Sequence, residues 1–128
     1  MTNDTSAPAP NTVAWFQIGT DEPKAAHEFY GGLFGWSVAH DPDLDGYDLV
    51  SYAGTDQPAG GIAHTGGGVA NHATFFVLVQ DVAAACARAE QLGGKVVDQP
   101  VTAGTGLVFA HLLDRSGNLF GVFSPPPA

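Results

Sequence analysis

At 128 residues, 45% of them hydrophobic and 13% charged, the chain has the composition of one domain with one core rather than of a disordered segment. Thirteen acidic residues against four basic ones give a formal net charge of −9, and the four cations (Lys24, Arg88, Lys95 and Arg115) are scattered, which argues against a nucleic-acid partner. No apolar run is long enough to cross a bilayer, the first ten residues lack the basic start and hydrophobic stretch of a signal peptide, and a single cysteine, Cys86, excludes an internal disulfide. The expectation is a cytoplasmic protein with no membrane partner.

Residues 1–11 read as a flexible arm. Val13–Thr20 is rich in aromatic and β-branched residues, which suits a strand. Asp21-Glu22-Pro23 then opens a helix, with an acidic cap and a proline in the first turn, and Gly31-Gly32 marks its end. Strands follow at about Trp36–His40, Gly46–Tyr52 and Gly60–Thr65, and the triglycine Gly66–Gly68 begins a linker over 66–71. A second strand–helix pair comes next, Ala73–Val79 and a helix capped by Asp81, whose Val82, Ala85, Ala89 and Leu92 recur at helical spacing. Gly93-Gly94 ends that helix, and strands are expected at Lys95–Asp98, Gly104–Leu113 and Leu119–Phe123, with Asp114–Asn118 as a turn. Residues 125–128 form a tail.

The chain repeats itself at a shift of 59 residues: Phe16 falls on Phe75, Ile18 on Val77, Ala25-Ala26 on Ala84-Ala85, Leu33 on Leu92, Gly35 on Gly94 and Val38 on Val97. The order βαβββ therefore occurs twice, as module 12–66 and module 72–124 of a single domain over 12–124. Neither half can bury its sheet face alone, so the predicted fold is α+β, with the tandem modules forming a curled mixed sheet around a central cavity.

Phe29-Tyr-Gly-Gly-Leu-Phe-Gly-Trp36, Val79–Ala85, Leu92-Gly-Gly94 and Asp114-Arg-Ser-Gly-Asn-Leu-Phe-Gly121 resemble stretches of the vicinal oxygen chelate superfamily, which joins glyoxalases, bleomycin-resistance proteins and dioxygenases. The resemblance runs from about Val13 to Phe123 and implies the fold just described. Many members hold a divalent metal with one His, Glu or Gln from each of four strands. The corresponding positions here are Trp15, Gly61 or Ile62, Thr74 and Gly121, none of them a competent ligand. No cofactor is predicted on that basis. The alternative is a displaced divalent-metal site built from His64, His72 and His111.

The candidate ligand-binding residues are Trp15, Tyr52, His64, His72, Thr74, Phe75, Phe109 and His111. His64 and His72 each lie two residues from a family ligand position, and period-two alternation would keep them on the same sheet face. The aromatic residues could line a pocket that stacks on a flat ligand, or fill the core. Of the other histidines, His27 is expected to be exposed on the first helix and His40 to end a strand. Cys86 reads as a small buried hydrophobe, and no catalytic residue is assigned. Two functions compete. The first is a metal-free binder of a hydrophobic or aromatic metabolite or antibiotic, of the kind that sequesters bleomycin. The second is a glyoxalase-like lyase or isomerase, or a dioxygenase-like enzyme, with a non-standard site. A homodimer suits either, because open sheet edges invite pairing.

Overall fold

A computed structural model describes residues 9–126. Most of the arm expected over 1–11 and the last two residues of the tail lie outside the described residues.

The first half comprises β1 (Thr12–Thr20), α1 (Pro23–Phe34), β2 (Ser37–His40), β3 (Tyr47–Ser51) and β4 (Pro58–His64). The second comprises β5 (His72–Leu78), α2 (Val82–Gln91), β6 (Lys95–Val96), β7 (Val101–Thr102), β8 (Val108–Leu113) and β9 (Leu119–Ser124). The nine strands of the described residues join one curled mixed sheet in the order β2-β3-β4-β1-β5-β9-β8-β6, with β7 pairing β8. In each half the first strand pairs parallel with the last, β1 with β4 and β5 with β9. The halves meet where β1 and β5 run antiparallel. There Phe16 pairs with Phe75, the same two residues that the sequence repeat superimposes, so a local twofold axis passes between them.

Three local expectations change. Gly31 and Gly32 lie inside α1, which runs on to Phe34 and ends at Gly35, whose φ of 73° is the left-handed cap glycine tolerates. Glu22 occupies the cap position of α1 without a side-chain bond, whereas the Asp81 carboxylate accepts from the Ala84 N–H of α2. The strand expected over Gly104–Leu113 begins only at Val108: Ala103–Leu107 is a turn closed by the Ala103 N–H to the Leu107 carbonyl, and a short additional strand, β7, precedes that turn.

Pairing register and period-two alternation sort the strand residues onto two faces. One face carries the helices. In the second half Val82 and Cys86 of α2 bury against Ala110, Leu112 and Val122. In the first half Val50 and Ile62 are fully buried on the strands, but α1 has no buried residue. An aromatic group joins α1 to the sheet instead: the Tyr30 and Trp36 rings stack at 5.6 Å, and Phe16 lies 5.3 Å from Trp36 and 6.2 Å from Tyr52. Among the described residues the other face bears no helix.

Candidate functional site

On the helix-free face the central strands bring Trp15 and Gln17 of β1 beside Phe76, Thr74 and His72 of β5, followed by Gly121 of β9 and His111 of β8. Gln17, almost fully buried, is the polar centre. Its side-chain amide nitrogen donates to His72 Nε2 at 3.2 Å and to His111 Nε2 at 3.5 Å. The far nitrogen of each ring is already held. His72 Nδ1 donates to the Ala70 carbonyl at 3.0 Å, and His111 Nδ1 donates to the Asp98 carboxylate at 2.9 Å. Those acceptors fix both tautomers, so both Nε2 lone pairs point at the same place. Asp98 also accepts from the backbone N–H of His111 at 2.6 Å, which clamps the Asp–His pair twice.

Ring contacts frame this centre. The Phe76 and Phe109 rings stand nearly perpendicular to His111 at centroid distances of 5.3 and 6.2 Å, and the His111 side chain keeps 21% of its exposure. Trp15 Nε1 donates to the Tyr47 hydroxyl at 2.8 Å, and burial pushes the Tyr47 phenol up to about 12, against the weaker lowering effect of that bond. Tyr47 therefore stays neutral. Missing side chains make the room: a Cβ on Gly19 would collide with the His72 ring, one on Gly61 with Tyr47, and one on Gly121 with Phe76.

The four strand positions where the family resemblance looked for a metal lie on this face as Trp15, Gly61, Thr74 and Gly121. They do not fit one: two have no side chain, Trp15 is a hydrogen-bond donor, and the Thr74 hydroxyl donates to the Leu119 carbonyl.

Of the residues singled out from sequence, Trp15, His72, Thr74, Phe109 and His111 share the helix-free face. The other three do not. Tyr52 packs against Phe16 and Trp36 on the helix side, and Phe75 stacks on Phe120 there. His64 lies under α1, where its Nε2 donates to Asp48 at 2.7 Å. The reason is register: Gly61, paired with Gln17, takes the family's second position, whereas His64 shares the parity of Ile62, and a one-residue difference exchanges faces.

The same buried carboxylate accepts from His27 Nε2 at 2.8 Å, so His27 is a bridge from α1 to the sheet and not a free surface residue. His40 ends β2 with Nδ1 3.7 Å from the other Asp48 oxygen. Burial alone would raise the Asp48 carboxyl, but the bonds from His64 and His27 hold it below the usual carboxylate range. The Nε2–H groups of His27 and His64 are both spent on Asp48, which makes this cluster a structural tie between α1 and the sheet. A cleft of about 480 Å3 between the start of α1 and β5, walled by Phe29 and Tyr30, borders His72.

Sequence reasoning missed Gln17, Tyr47 and Asp98. Gln17 was within reach, as the polar residue in an apolar strand and two positions from Trp15. Asp98 was not, because its partner His111 is brought to it only by the fold of the β6–β8 region.

The sequence profile of the Glyoxalase/Bleomycin resistance protein/Dioxygenase superfamily matches residues 12–122. CFP32 of Mycobacterium tuberculosis, whose name proposes a glyoxylase, is 31% identical over 117 residues, covering 91% of this chain and 45% of its own length. The anthracycline biosynthesis protein DnrV of Streptomyces peucetius is 32% identical over 133 residues, covering 90% of this chain and 47% of its own length. The chain thus spans about half the length of these curated relatives. Among solved structures, methylmalonyl-CoA epimerase from M. tuberculosis superposes with a TM-score of 0.62 at 17% identity, over 96% of this chain and 95% of that one. The Mn(II)-bound glyoxalase from Novosphingobium aromaticivorans gives 0.64 at 18% identity, over 91% of this chain and 40% of that one. At such identities the structures speak for the fold alone. With a profile that spans nearly all the described residues and a sheet that repeats in the same way, this chain belongs to the Glyoxalase/Bleomycin resistance protein/Dioxygenase superfamily.

Proposed function

We propose that the helix-free face receives a small organic ligand, a flat aromatic metabolite or antibiotic carrying hydroxyl groups, with its polar end at Gln17, His72 and His111. One observation carries this: two imidazoles are locked in the tautomer that turns both Nε2 acceptors toward one point. A ligand hydroxyl replaces a Gln17 N–H there, while Trp15, Phe76 and Phe109 supply apolar and edge-on contact. Similarity to a protein named for anthracycline biosynthesis supports a polycyclic aromatic class. Binding does not call on the four family metal positions. Calorimetric titration with a hydroxylated anthraquinone in the presence of a chelator tests the reading. Saturable binding is expected, weakened about tenfold or more by His72→Ala or His111→Ala and unchanged by Tyr52→Ala on the opposite face. Absence of saturable binding across a panel of hydroxylated aromatics would overturn it.

The Asp98–His111 pair favours a second reading, as an isomerase- or lyase-like enzyme. With Nδ1–H held by a carboxylate, His111 Nε2 is oriented to take a proton from carbon beside a carbonyl and to return it. That reading predicts exchange of this carbon-bound hydrogen with deuterium from solvent, lost in His111→Ala. No exchange in any bound carbonyl compound leaves the binder alone. The exposed Phe29, Leu33 and Phe34 of α1 suit pairing of two copies, and solution mass decides between monomer and dimer.

A further inference from the structure

The cleft at the start of α1 opens on the helix side of the sheet, and the ligand site around Gln17 makes no use of it. We propose that this cleft binds a small organic cation, an ammonium group carried on an apolar body, between the rings of Phe29 and Tyr30 and the carboxylates of Asp21 and Glu22.

The cavity itself is of the right kind. Its volume of about 480 Å3 lies within the range of about 300 to 1,000 Å3 usual for small-molecule sites. Ile18 and Ala73, paired across β1 and β5, line it from the sheet, and α1 contributes Ala25, Ala26, Phe29 and Tyr30. The Phe29 and Tyr30 rings stand edge to face at 5.2 Å, and Tyr30 is steadied by its stack on Trp36. Phe29 remains 61% exposed, so an apolar occupant that covers it gains free energy whatever its charge.

The rim sets the sign of that charge. Asp21 and Glu22 line the cleft, and its lining among the described residues includes no Lys or Arg. Asn71 orients Asp21: its side-chain N–H donates to Asp21 Oδ1 at 3.2 Å, and its oxygen accepts from the Asp21 N–H at 3.0 Å. Glu22 occupies the cap position of α1 without a side-chain bond to the helix. Neither acid takes part in an ion pair among the described residues. One effect opposes a cation, the partial positive charge of about half a unit at the start of α1. Two full carboxylate charges outweigh it. His72, at the edge of the cleft, has Nδ1–H engaged by the Ala70 carbonyl and accepts from Gln17 at Nε2, the pattern of a neutral ring. An ammonium group beside an aromatic face is further attracted by the ring quadrupole.

The internal repeat supplies a comparison within the molecule. At the shift of 59 residues, Arg88 stands where Phe29 does, Ala89 replaces Tyr30, and Gln80 replaces Asp21. Asp81 matches Glu22, but its carboxylate is engaged by the Ala84 N–H. The second half therefore repeats the backbone without the aromatic wall or the free acids, so the combination is not imposed by the fold.

The test is an amide chemical-shift titration with benzyltrimethylammonium at low ionic strength, with benzyl alcohol and benzoate as neutral and anionic counterparts. Saturable shifts are expected at the amides of Ala25, Phe29, Asn71 and Ala73 with the cation, weaker ones with the alcohol and none with benzoate. Added salt should weaken the binding. Phe29→Ala should weaken it about 3- to 30-fold and Glu22→Gln about two- to fivefold. Phe29→Arg, which copies the other half, should abolish it. Both positions are exposed, so these variants leave the packing of the sheet intact. Glu28→Gln makes the same change of net charge outside the cleft and should bind as the parent does. No saturable shift with the cation, or benzoate bound as tightly, would overturn the proposal. So would shifts centred on Gln17 and His111, or an equal loss in Glu28→Gln. A second copy of this chain that covers Phe29 and excludes the cation, seen as a dimer in sedimentation, would overturn it as well.

Discussion

The two halves share one strand order but fasten their helices differently. In the second half α2 is capped by Asp81 and inserts Val82 and Cys86 into an apolar core with Ala110, Leu112 and Val122. Burial, together with the nearby carboxylates of Asp98 and Glu90, pushes the Cys86 thiol up, so it stays a neutral packing group. In the first half α1 lacks a side-chain cap, leaves Phe29 61% and Leu33 60% exposed, and is tied down by the bond from His27 to buried Asp48 and by aromatic contacts through Tyr30 and Trp36. A repeated fold thus does not require a repeated energy source. Hydrophobic contact is non-directional and tolerates exchange of like side chains, whereas a buried carboxylate works only while its particular donors remain.

The largest effect should come from the apolar half. Leu112→Ala removes a fully buried side chain beneath α2 and is expected to cost about 2–5 kcal/mol in urea unfolding. A cost under about 1 kcal/mol would mean that this core is not the anchor.

Next comes the polar tie. Asp48→Asn is expected to cost about 1–3 kcal/mol at neutral pH, because two imidazole N–H groups lose a charged acceptor. The folded-state carboxyl is lowered, so its stabilisation is present above the unfolded pKa of about 3.9 and lost as pH falls through the lower folded value. The difference in stability between the parent and Asp48→Asn should therefore persist down to about pH 4 and shrink below it. A difference that is the same at pH 3 as at pH 7 would show that the ionised carboxylate is not what holds α1.

The caps give a smaller contrast. Asp81→Ala should cost about 1 kcal/mol through the lost bond to the Ala84 N–H, whereas Glu22→Ala should stay within about 0.5 kcal/mol. Equal costs would erase the asymmetry between the helix starts. Smallest of all is a difference in local opening: amide hydrogens of α1 are expected to exchange faster than those of α2 under native conditions. Slower exchange in α1 would reverse the ranking.

Much of this architecture was legible from residue order. The superposition of Phe16 on Phe75 announced the repeat, and the same pair turned out to sit on the local twofold. Alternation groups His72 with Thr74, and the two share the helix-free face. It failed for His64, because the second family position was known only to within one residue, and that is enough to exchange faces. The end of α1 was misplaced for a different reason. Gly31 and Gly32 looked like a stop, yet the contacts of Tyr30 and Trp36 and the left-handed Gly35 carry the helix a further turn.

What the sequence alone determined was local and repeated: two βαβββ units, the capping of α2 by Asp81, and an apolar face on that helix. These depend on neighbours within a few positions, so residue order is enough to read them. Which acid meets which histidine was decided only by tertiary structure. Asp98 reaches His111 because β6 pairs with β8, and Gln17 reaches both His72 and His111 because β1, β5, β9 and β8 lie side by side. Such contacts join residues 13 to 94 positions apart, where local pattern carries no information and only the register of the sheet sets the distance.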